Sequence, residues 1–387
     1  MATFRLPHLA AAHVLRAVDR DRLLRFLAPH RPYLAARGLD LPAAGEPGDV
    51  PYDALVAVFM APEANTPARL IDALFYVDGM ATPEGMHALL AAAAEIDLDL
   101  GPAADLTPAD VAVQVWLDAP DRLERAHAEQ HLPSPRTFEY YHTDPAAPPG
   151  LDFGRPSDLE AELNAWFERN RRGRTARAFP FNRDDGLWYL VRHGEPFKRE
   201  EAAAATAGAE PASVAYRPLR YDVVVFDPGL GELRVNAPLK GAKELYRTAF
   251  GRHLYGFPGA FPRADLYTLD PLRADGPAAL ACADVPELER VTLREVQLYV
   301  PGSPWELVTH KSDDVFGLFT ARDAGFPAGG RLSRAAFDVK FAAARRPRSV
   351  VVRPPNVAQF ARDADAAAVE RWLAARGFLR GRGDGRG

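Results

Sequence analysis

Residues 221–231 decide the fold class, because a strand pattern there runs directly into a tight turn: Tyr221-Asp222-Val223-Val224-Val225-Phe226-Asp227-Pro228-Gly229-Leu230-Gly231. The first six residues have the patterning of a β-strand. The next five combine a proline with two glycines, which is typical of a turn. A strand that ends in such a turn pairs with the next strand as an antiparallel hairpin, because parallel neighbours need a long crossover.

Comparable turn signals recur through the C-terminal half of the chain. They lie at Asp185-Gly186, at Asp275-Gly276-Pro277, at Pro301-Gly302-Ser303-Pro304 and in the basic connector from Ala342 to Pro347. Apolar residues at helical spacing predict helices after several hairpins, at about 241–254, 313–322 and 365–376. The sequence therefore predicts an α+β fold, in which an N-terminal helical domain precedes an antiparallel domain of repeated β-hairpins with intervening helices. This prediction argues against the doubly wound, nucleotide-binding folds.

The N-terminal part of the chain carries start signals for consecutive helices. Each of three Thr-Pro pairs precedes an apolar stripe at helical spacing: Thr66-Pro67, Thr82-Pro83 and Thr107-Pro108. Threonine at the N-cap satisfies free amides, and proline fits the next position because its missing N–H is not needed there. We expect a helix to begin at each pair. We also expect Ser157-Asp158 to cap a helix that leads into the hairpins.

Composition divides the chain into five segments. Residues 1–131 are predicted to form an acidic helical domain, and the prolines of 132–156 disfavour regular structure there and predict a linker. A hairpin and helix domain is expected over 157–330, with a basic hairpin-helix unit of the same domain over 331–379. Residues 380–387 are mainly glycine and arginine, a composition typical of a disordered tail.

Composition also predicts where the protein acts. The chain has 387 residues, 48% of them hydrophobic, but no apolar run approaches the roughly 20 residues that span a bilayer. The N-terminus lacks the pattern of a signal peptide, and the single cysteine, Cys282, allows neither an intrachain disulfide nor a metal cluster. We therefore expect a cytoplasmic protein with no membrane partner. Arginine outnumbers lysine 42 to 5, which we interpret as GC-rich, bacterial coding rather than as a sign of nucleic-acid binding.

Charge is distributed unevenly. Residues 1–150 hold 11 basic and 21 acidic residues, whereas 331–387 hold 13 basic and 5 acidic residues. No Lys or Arg occurs between Arg69 and Arg122, so the N-terminal helices suit a protein partner better than a DNA groove. The candidate nucleic-acid-binding residues are Arg345, Arg346, Arg348, Arg353, Arg371 and Arg376. The alternatives are a solvated arginine surface and a patch that docks on the acidic N-terminal domain.

One short motif points to enzymatic chemistry. Leu190-Val191-Arg192-His193-Gly194-Glu195 resembles the Arg-His-Gly-Glu signature of the histidine phosphatases. The resemblance implies that His193 accepts a phosphoryl group and that Arg192 holds its oxygens, with His310 as a second histidine. It also implies parallel strands, which the hairpin turns do not predict. The alternative is the end of a strand whose Arg and His face solvent.

A metal site is a further alternative. His127 and His131 are four residues apart near the end of a predicted helix, so they share one face and could bind a divalent metal. Glu139, His142 and Asp144 of the following segment are the candidates to complete the ligand set. The alternative is two surface histidines on a charged helix, and no cofactor is predicted.

The hypothesis that the sequence favours is a non-enzymatic bacterial regulatory or interaction protein. Its basic C-terminal region would contact nucleic acid or an acidic protein, and its acidic N-terminal domain would contact a second protein. The alternative hypothesis is a phosphoryl-transfer enzyme that uses His193 and Arg192.

Overall fold

A computed structural model of the protein describes most of the chain, namely residues 6–63, 65–102, 106–130, 135–144, 155–183, 185–202, 212–302, 304–361 and 366–380. The chain folds into two compact units, Met1–Leu132 and Pro133–Gly387. None of the helices in the described part of the chain combines the length and the hydropathy that a membrane span requires. The predicted tail lies outside the described residues, apart from Arg380.

The first unit is helical. Its α-helices are α1 (Ala12–Arg16), α2 (Arg20–Leu27), α3 (Arg31–Ala36), α4 (Tyr52–Met60), α5 (Ala68–Met80), α6 (Pro83–Ala94), α7 (Pro108–Asp118) and α8 (Pro120–Gln130). Thr82 and Thr107 cap α6 and α7, because their hydroxyls accept from Gly85 N at 2.9 Å and from Asp110 N at 3.2 Å. These two caps are confirmed.

The third Thr-Pro pair is used differently. Helix α5 begins at Ala68, and Pro67 occupies its N-cap position without a side-chain hydrogen bond. The hydroxyl of Thr66 accepts instead from Glu63 N and lies 2.8 Å from the Tyr33 hydroxyl. The prediction that Thr66 caps a helix is therefore wrong, because its hydroxyl is engaged by the preceding loop and by α3.

Buried carboxylates fix the N-terminal segment onto the helices of this unit. Asp78 in α5 is 3% exposed and accepts from Leu9 N at 2.7 Å and His8 N at 2.9 Å. Burial raises the pKa of Asp78, and the two backbone donors oppose that rise. The acidic residues of this unit are therefore partly structural rather than wholly surface charge.

The second unit is built around one antiparallel sheet. Its strands are β1 (Thr137–His142), β2 (Arg177–Arg183), β3 (Gly186–Gly194), β4 (Lys198–Ala202), β5 (Ala212–Tyr216), β6 (Leu219–Asp227), β7 (Glu232–Asn236), β8 (Leu288–Val300), β9 (Glu306–Lys311), β10 (Arg331–Phe341), β11 (Arg348–Arg353) and β12 (Val357–Gln359). Ten of them form a sheet in the order β2-β3-β6-β7-β1-β12-β11-β10-β8-β9, and β4 pairs with β5 separately. The predicted α+β class with antiparallel hairpins is confirmed.

Four of the five turn signals connect paired strands. They join β2 to β3, β6 to β7, β8 to β9 and β10 to β11. Asp275-Gly276-Pro277 does not, because Gly276–Leu280 forms a 3₁₀ helix. The prediction of a hairpin there is wrong. The segment before this turn is the short helix Pro271–Ala274 and not a strand, so the turn connects two helical segments.

The segment predicted to be an irregular linker contributes a strand. Residues Thr137–His142 form β1, which pairs with β7 on one side and β12 on the other. Phe138 and Tyr140 are 0% and 1% exposed. The expectation of no regular structure is therefore wrong for these residues. The prolines of this segment flank the strand, and its aromatic residues fill the protein interior.

Helices complete the second unit. They are α9 (Pro156–Arg169), α10 (Lys240–Tyr255), α11 (Pro271–Ala274), α12 (Val315–Ala321) and α13 (Ala366–Ala375). Helices α9 and α10 bury Leu163, Phe167, Tyr246 and Phe250 in a core with residues of β3, β6 and β7. Helix α9 begins at Pro156 without a side-chain cap, so the prediction that Ser157-Asp158 caps it is wrong.

Helix α13 packs on the other half of the sheet. The Trp372 ring lies 5.3 Å from the Phe337 ring of β10, centroid to centroid, at a steep angle. Trp372 and Phe337 are both fully buried. This packing buries the inner side of α13 against β10.

Candidate functional site

The arginines of the β10–β11 turn face solvent. The turn spans residues 342–347, and it carries Arg345 and Arg346 in exposed positions, followed by Arg348 at the start of β11. Neither Arg345 nor Arg346 has an ion-pair partner among the residues that the structure describes. The guanidinium of Arg348 lies 5.4 Å from the centroid of the Phe341 ring. All three arginines border one depression in the surface.

Arg353 belongs to a different surface. It lies at the far end of β11, five residues after Arg348, which corresponds to about 17 Å along a strand. Because successive side chains alternate between the faces of a sheet, residues five apart project from opposite faces. The four arginines that the sequence grouped as the main contact residues therefore divide into the turn arginines, Arg345, Arg346 and Arg348, and the separate Arg353.

Two further candidate arginines are paired with carboxylates. On α13, Arg371 donates to a side-chain oxygen of Glu287. Arg376, just beyond that helix, donates to Asp284 in the same way. These pairs neutralise the two charges locally. The pairs also join the C-terminal helix to the segment before β8.

The histidine of the phosphatase-like motif lies inside the protein. His193 is 1% exposed, and its Nε2 lies 3.0 Å from Oδ2 of Asp222. Its Nδ1 lies 3.0 Å from the Gly194 carbonyl oxygen, and its ring stacks on Phe167 with centroids 4.1 Å apart. The Tyr246 hydroxyl donates to the same Asp222 oxygen at 2.9 Å. Both ring nitrogens are thus engaged, and neither is presented to a substrate.

This network has the properties of a buried structural cluster. Asp222 and Tyr246 are 1% and 0% exposed. Burial and the neighbouring Asp222 carboxylate raise the pKa of Tyr246 well above its usual range, so its phenol keeps its proton. The hydrogen bonds satisfy polar groups that would otherwise be costly to bury.

The structure does not bring the other phosphatase-like residues to His193. The Arg192 guanidinium lies over the Phe179 ring, 5.7 Å from its centroid. His310 lies on β9, where its ring meets that of Phe319 edge-on at 4.9 Å. Seven strands separate β3 from β9 in the sheet. A second histidine at phosphoryl-transfer distance from His193 is therefore not supplied by His310.

Of the two histidines proposed as metal ligands, the structure describes only His127. His127 is 8% exposed, and its ring contacts those of Phe75 and Tyr76, with centroids 5.2 and 5.1 Å away. It packs in the core of the first unit, whereas the sequence alternative placed it at the surface. His131 lies outside the described residues. Those residues contain no cluster of three His, Cys, Asp or Glu side chains that could hold a metal ion.

Sequence reasoning missed a buried charged cluster on β1 and β7. The cross-strand neighbours His142 and Glu232 approach to 3.3 Å, and Arg234 donates to Glu232 at 2.7 Å and to Asp185 at 2.8 Å. Burial raises the pKa of Glu232 to about 7, and the attraction of Arg234 opposes that rise. The signal in the sequence was two opposite charges at positions 232 and 234, directly after a glycine turn.

Sequence reasoning also missed the exposed edge strand of the sheet. Within the described part of the chain, strand β9 pairs only with β8. Trp305, just before the strand, and Leu307 within it are 64% and 49% exposed. Trp305 stacks on Tyr299 of β8 with ring centroids 6.2 Å apart. The signal was an aromatic and an aliphatic residue close together after Pro304.

No protein-family model matches this sequence, and neither does any curated protein. Among the residues singled out above, accessibility separates two groups. The interior group is His193, Asp222, Glu232 and Arg234. In the second group, Arg345, Arg346 and the start of β9 are exposed, and Arg348 is half-buried.

Proposed function

We propose that this chain is a non-enzymatic bacterial regulatory or interaction protein of the cytoplasm that contacts nucleic acid through the turn arginines. The observation that carries the proposal is the exposure of Arg345 and Arg346 without ion-pair partners among the described residues. A surface that holds uncompensated positive charge is available to a polyanion. The engaged ring of His193 gives no comparable support to phosphoryl transfer.

Arginine in a hairpin turn suits the phosphate backbone. The guanidinium presents several N–H donors in a planar fork, and phosphate oxygens accept two of them at once. Each phosphate that is neutralised releases condensed counterions, which favours binding at low salt. Strands β10 and β11 are flanked by β8 and β12 in the sheet, so the turn between them, rather than a free ribbon, would meet the phosphate backbone.

The acidic first unit supports a contact restricted to this turn. Between Arg69 and Arg122 the chain has ten Asp and Glu residues and no Lys or Arg. Such a segment repels phosphates and suits a protein partner instead. We therefore propose two binding functions in one chain, with nucleic acid at the turn arginines and a protein at the helical unit.

Fluorescence anisotropy of labelled single- and double-stranded DNA and RNA, titrated with protein at several salt concentrations, tests the nucleic-acid contact. We expect affinity to fall steeply with salt, and Arg346→Gln to reduce the slope of log K against log salt by about 1. The double variant Arg345→Glu/Arg346→Glu should abolish binding. Arg353→Glu is a control at a separate surface, because it reverses the charge of one exposed arginine at the other end of β11.

Two outcomes would contradict the proposal. The first is the absence of binding to every nucleic acid at low salt, which would leave an acidic protein as the partner of the turn. The second is an equal loss of affinity in the Arg353→Glu control, which would show that net charge matters and that the turn does not.

A further inference from the structure

The two edges of the large sheet differ in how they are protected. Strand β2 forms one edge, with Pro180 at its centre and Arg177 and Arg183 at its ends. Proline has no N–H to offer and charged ends oppose stacking, so both features block the addition of a further strand. Strand β9 forms the opposite edge and contains no proline.

The free hydrogen-bonding groups of β9 can be identified from its pairing with β8. Ser312 N donates to the Arg294 carbonyl oxygen at 3.0 Å, which continues the β8–β9 register beyond the strand. Inward and outward groups alternate along an antiparallel strand. The backbone groups of Val308 and His310 therefore point to β8, and those of Leu307 and Thr309 point outward.

The side chains of β9 are complementary to a second copy of the same strand. A two-fold axis normal to the sheet keeps each side chain on the same face of the sheet in both copies. Two residues that lie opposite each other must therefore project from the same face, so their residue numbers add up to an even number. Centred on Val308, this pairing places Glu306 opposite His310, and Trp305 opposite Lys311. The first pair joins a carboxylate to an imidazole, and the second joins an aromatic face to an ammonium group.

The same register covers the exposed apolar residues. Leu307 would lie opposite Thr309 of the second copy in a hydrogen-bonded pair, because both have outward backbone groups. Trp305 and Leu307 are 64% and 49% exposed in the single chain. We propose that two copies of this protein associate through their β9 strands, centred on Val308, to form one continuous antiparallel sheet.

The mass in solution tests the association. Sedimentation velocity and light scattering of the full chain should show a concentration-dependent dimer of twice the 42.3 kDa monomer. In the dimer, Leu307→Lys would place the two new ammonium groups diagonal to each other, and each of them diagonal to Lys311 of the other copy. Because these like charges repel, we expect dimerisation to weaken about 30-fold. Leu219→Lys is the matched control, because Leu219 is 51% exposed on β6, which is not an edge strand.

Cross-linking tests the register. In a Cys282→Ser background, Val308→Cys brings two thiols together in a non-hydrogen-bonded pair with Cα atoms about 4.5 Å apart, within disulfide range. Thr309→Cys faces Leu307 of the other copy and should not cross-link. A chain that stays monomeric at every concentration overturns the proposal. Equal weakening by Leu219→Lys, or cross-linking through Thr309→Cys instead of Val308→Cys, also overturns it.

Discussion

The candidate residues in the two halves of the sheet differ in their accessibility. In the half formed by β2, β3, β6, β7 and β1, the side chains that resemble catalytic groups are buried and bonded to one another, as in the His193–Asp222 pair at 3.0 Å. In the half formed by β12, β11, β10, β8 and β9, Arg345, Arg346 and Trp305 are exposed. The comparison shows that residue type alone does not locate function, because accessibility decides which groups can meet a partner.

The strongest test of this comparison removes a charge from the first half. Arg234→Leu leaves Glu232 without its arginine partner in the interior, and breaking a buried ion pair costs about 3–5 kcal/mol. Urea unfolding followed by tryptophan fluorescence measures the loss, because four of the five tryptophans belong to the second unit. A loss below about 1 kcal/mol would contradict the structural role that we assign to this cluster.

The control for this substitution is Arg174→Leu. Arg174 pairs with Glu168 at 2.9 Å, but both side chains are more than half exposed. Exposed ion pairs contribute between zero and about 1 kcal/mol, so the control should leave the free energy of unfolding nearly unchanged. The difference between the two variants measures the effect of burial.

The second test uses pH. Glu232 has an ordinary pKa of 4.5 that burial raises to about 7, so the folded state holds its proton more tightly than the unfolded state. Its contribution to stability is therefore fully present below pH 4.5 and is lost as pH rises through about 7. A shift of this size corresponds to roughly 3 kcal/mol.

Urea unfolding between pH 5 and pH 8 measures this contribution. We expect the free energy of unfolding to fall by roughly 3 kcal/mol over this range. Glu232→Gln cannot titrate and should make that profile flatter. His142, 3.3 Å from Glu232, also faces the group, so His142→Gln in the same background separates its share. An unchanged profile in Glu232→Gln would exclude Glu232 as its source.

Much of the fold follows from local signals. The hairpin turns and the caps at Thr82 and Thr107 depend on residues a few positions apart, which the sequence displays directly. Strand β1 was missed because its neighbours in the sheet are distant in sequence: Tyr140 pairs with Arg234, and Phe138 with Ala358. Flanking prolines dominated the local pattern, and only those distant partners make the segment a strand.

The candidate site was predicted only in part, for a related reason. The sequence showed where arginines are concentrated, but not that Glu287 and Asp284 lie beside Arg371 and Arg376. Nor did the motif around His193 reveal that Phe167 of α9 covers its ring. A strand pattern shows which side chains share a face of the sheet, but not which helix covers that face. The accessibility of these side chains therefore depends on the tertiary structure.

The smallest effect that we predict tests the orientation of the edge strand β9 directly. In a Leu307→Lys background, which disfavours self-association, Thr309→Pro removes an N–H that points away from β8 and should cost about 1 kcal/mol or less. Val308→Pro removes an N–H that points to β8 and leaves a carbonyl oxygen unpaired, so we expect about 2–3 kcal/mol. Urea unfolding of the two variants compares these costs. Equal losses would mean that the outward and inward positions on β9 are assigned wrongly, and the sheet would then have no open edge in the register that we describe.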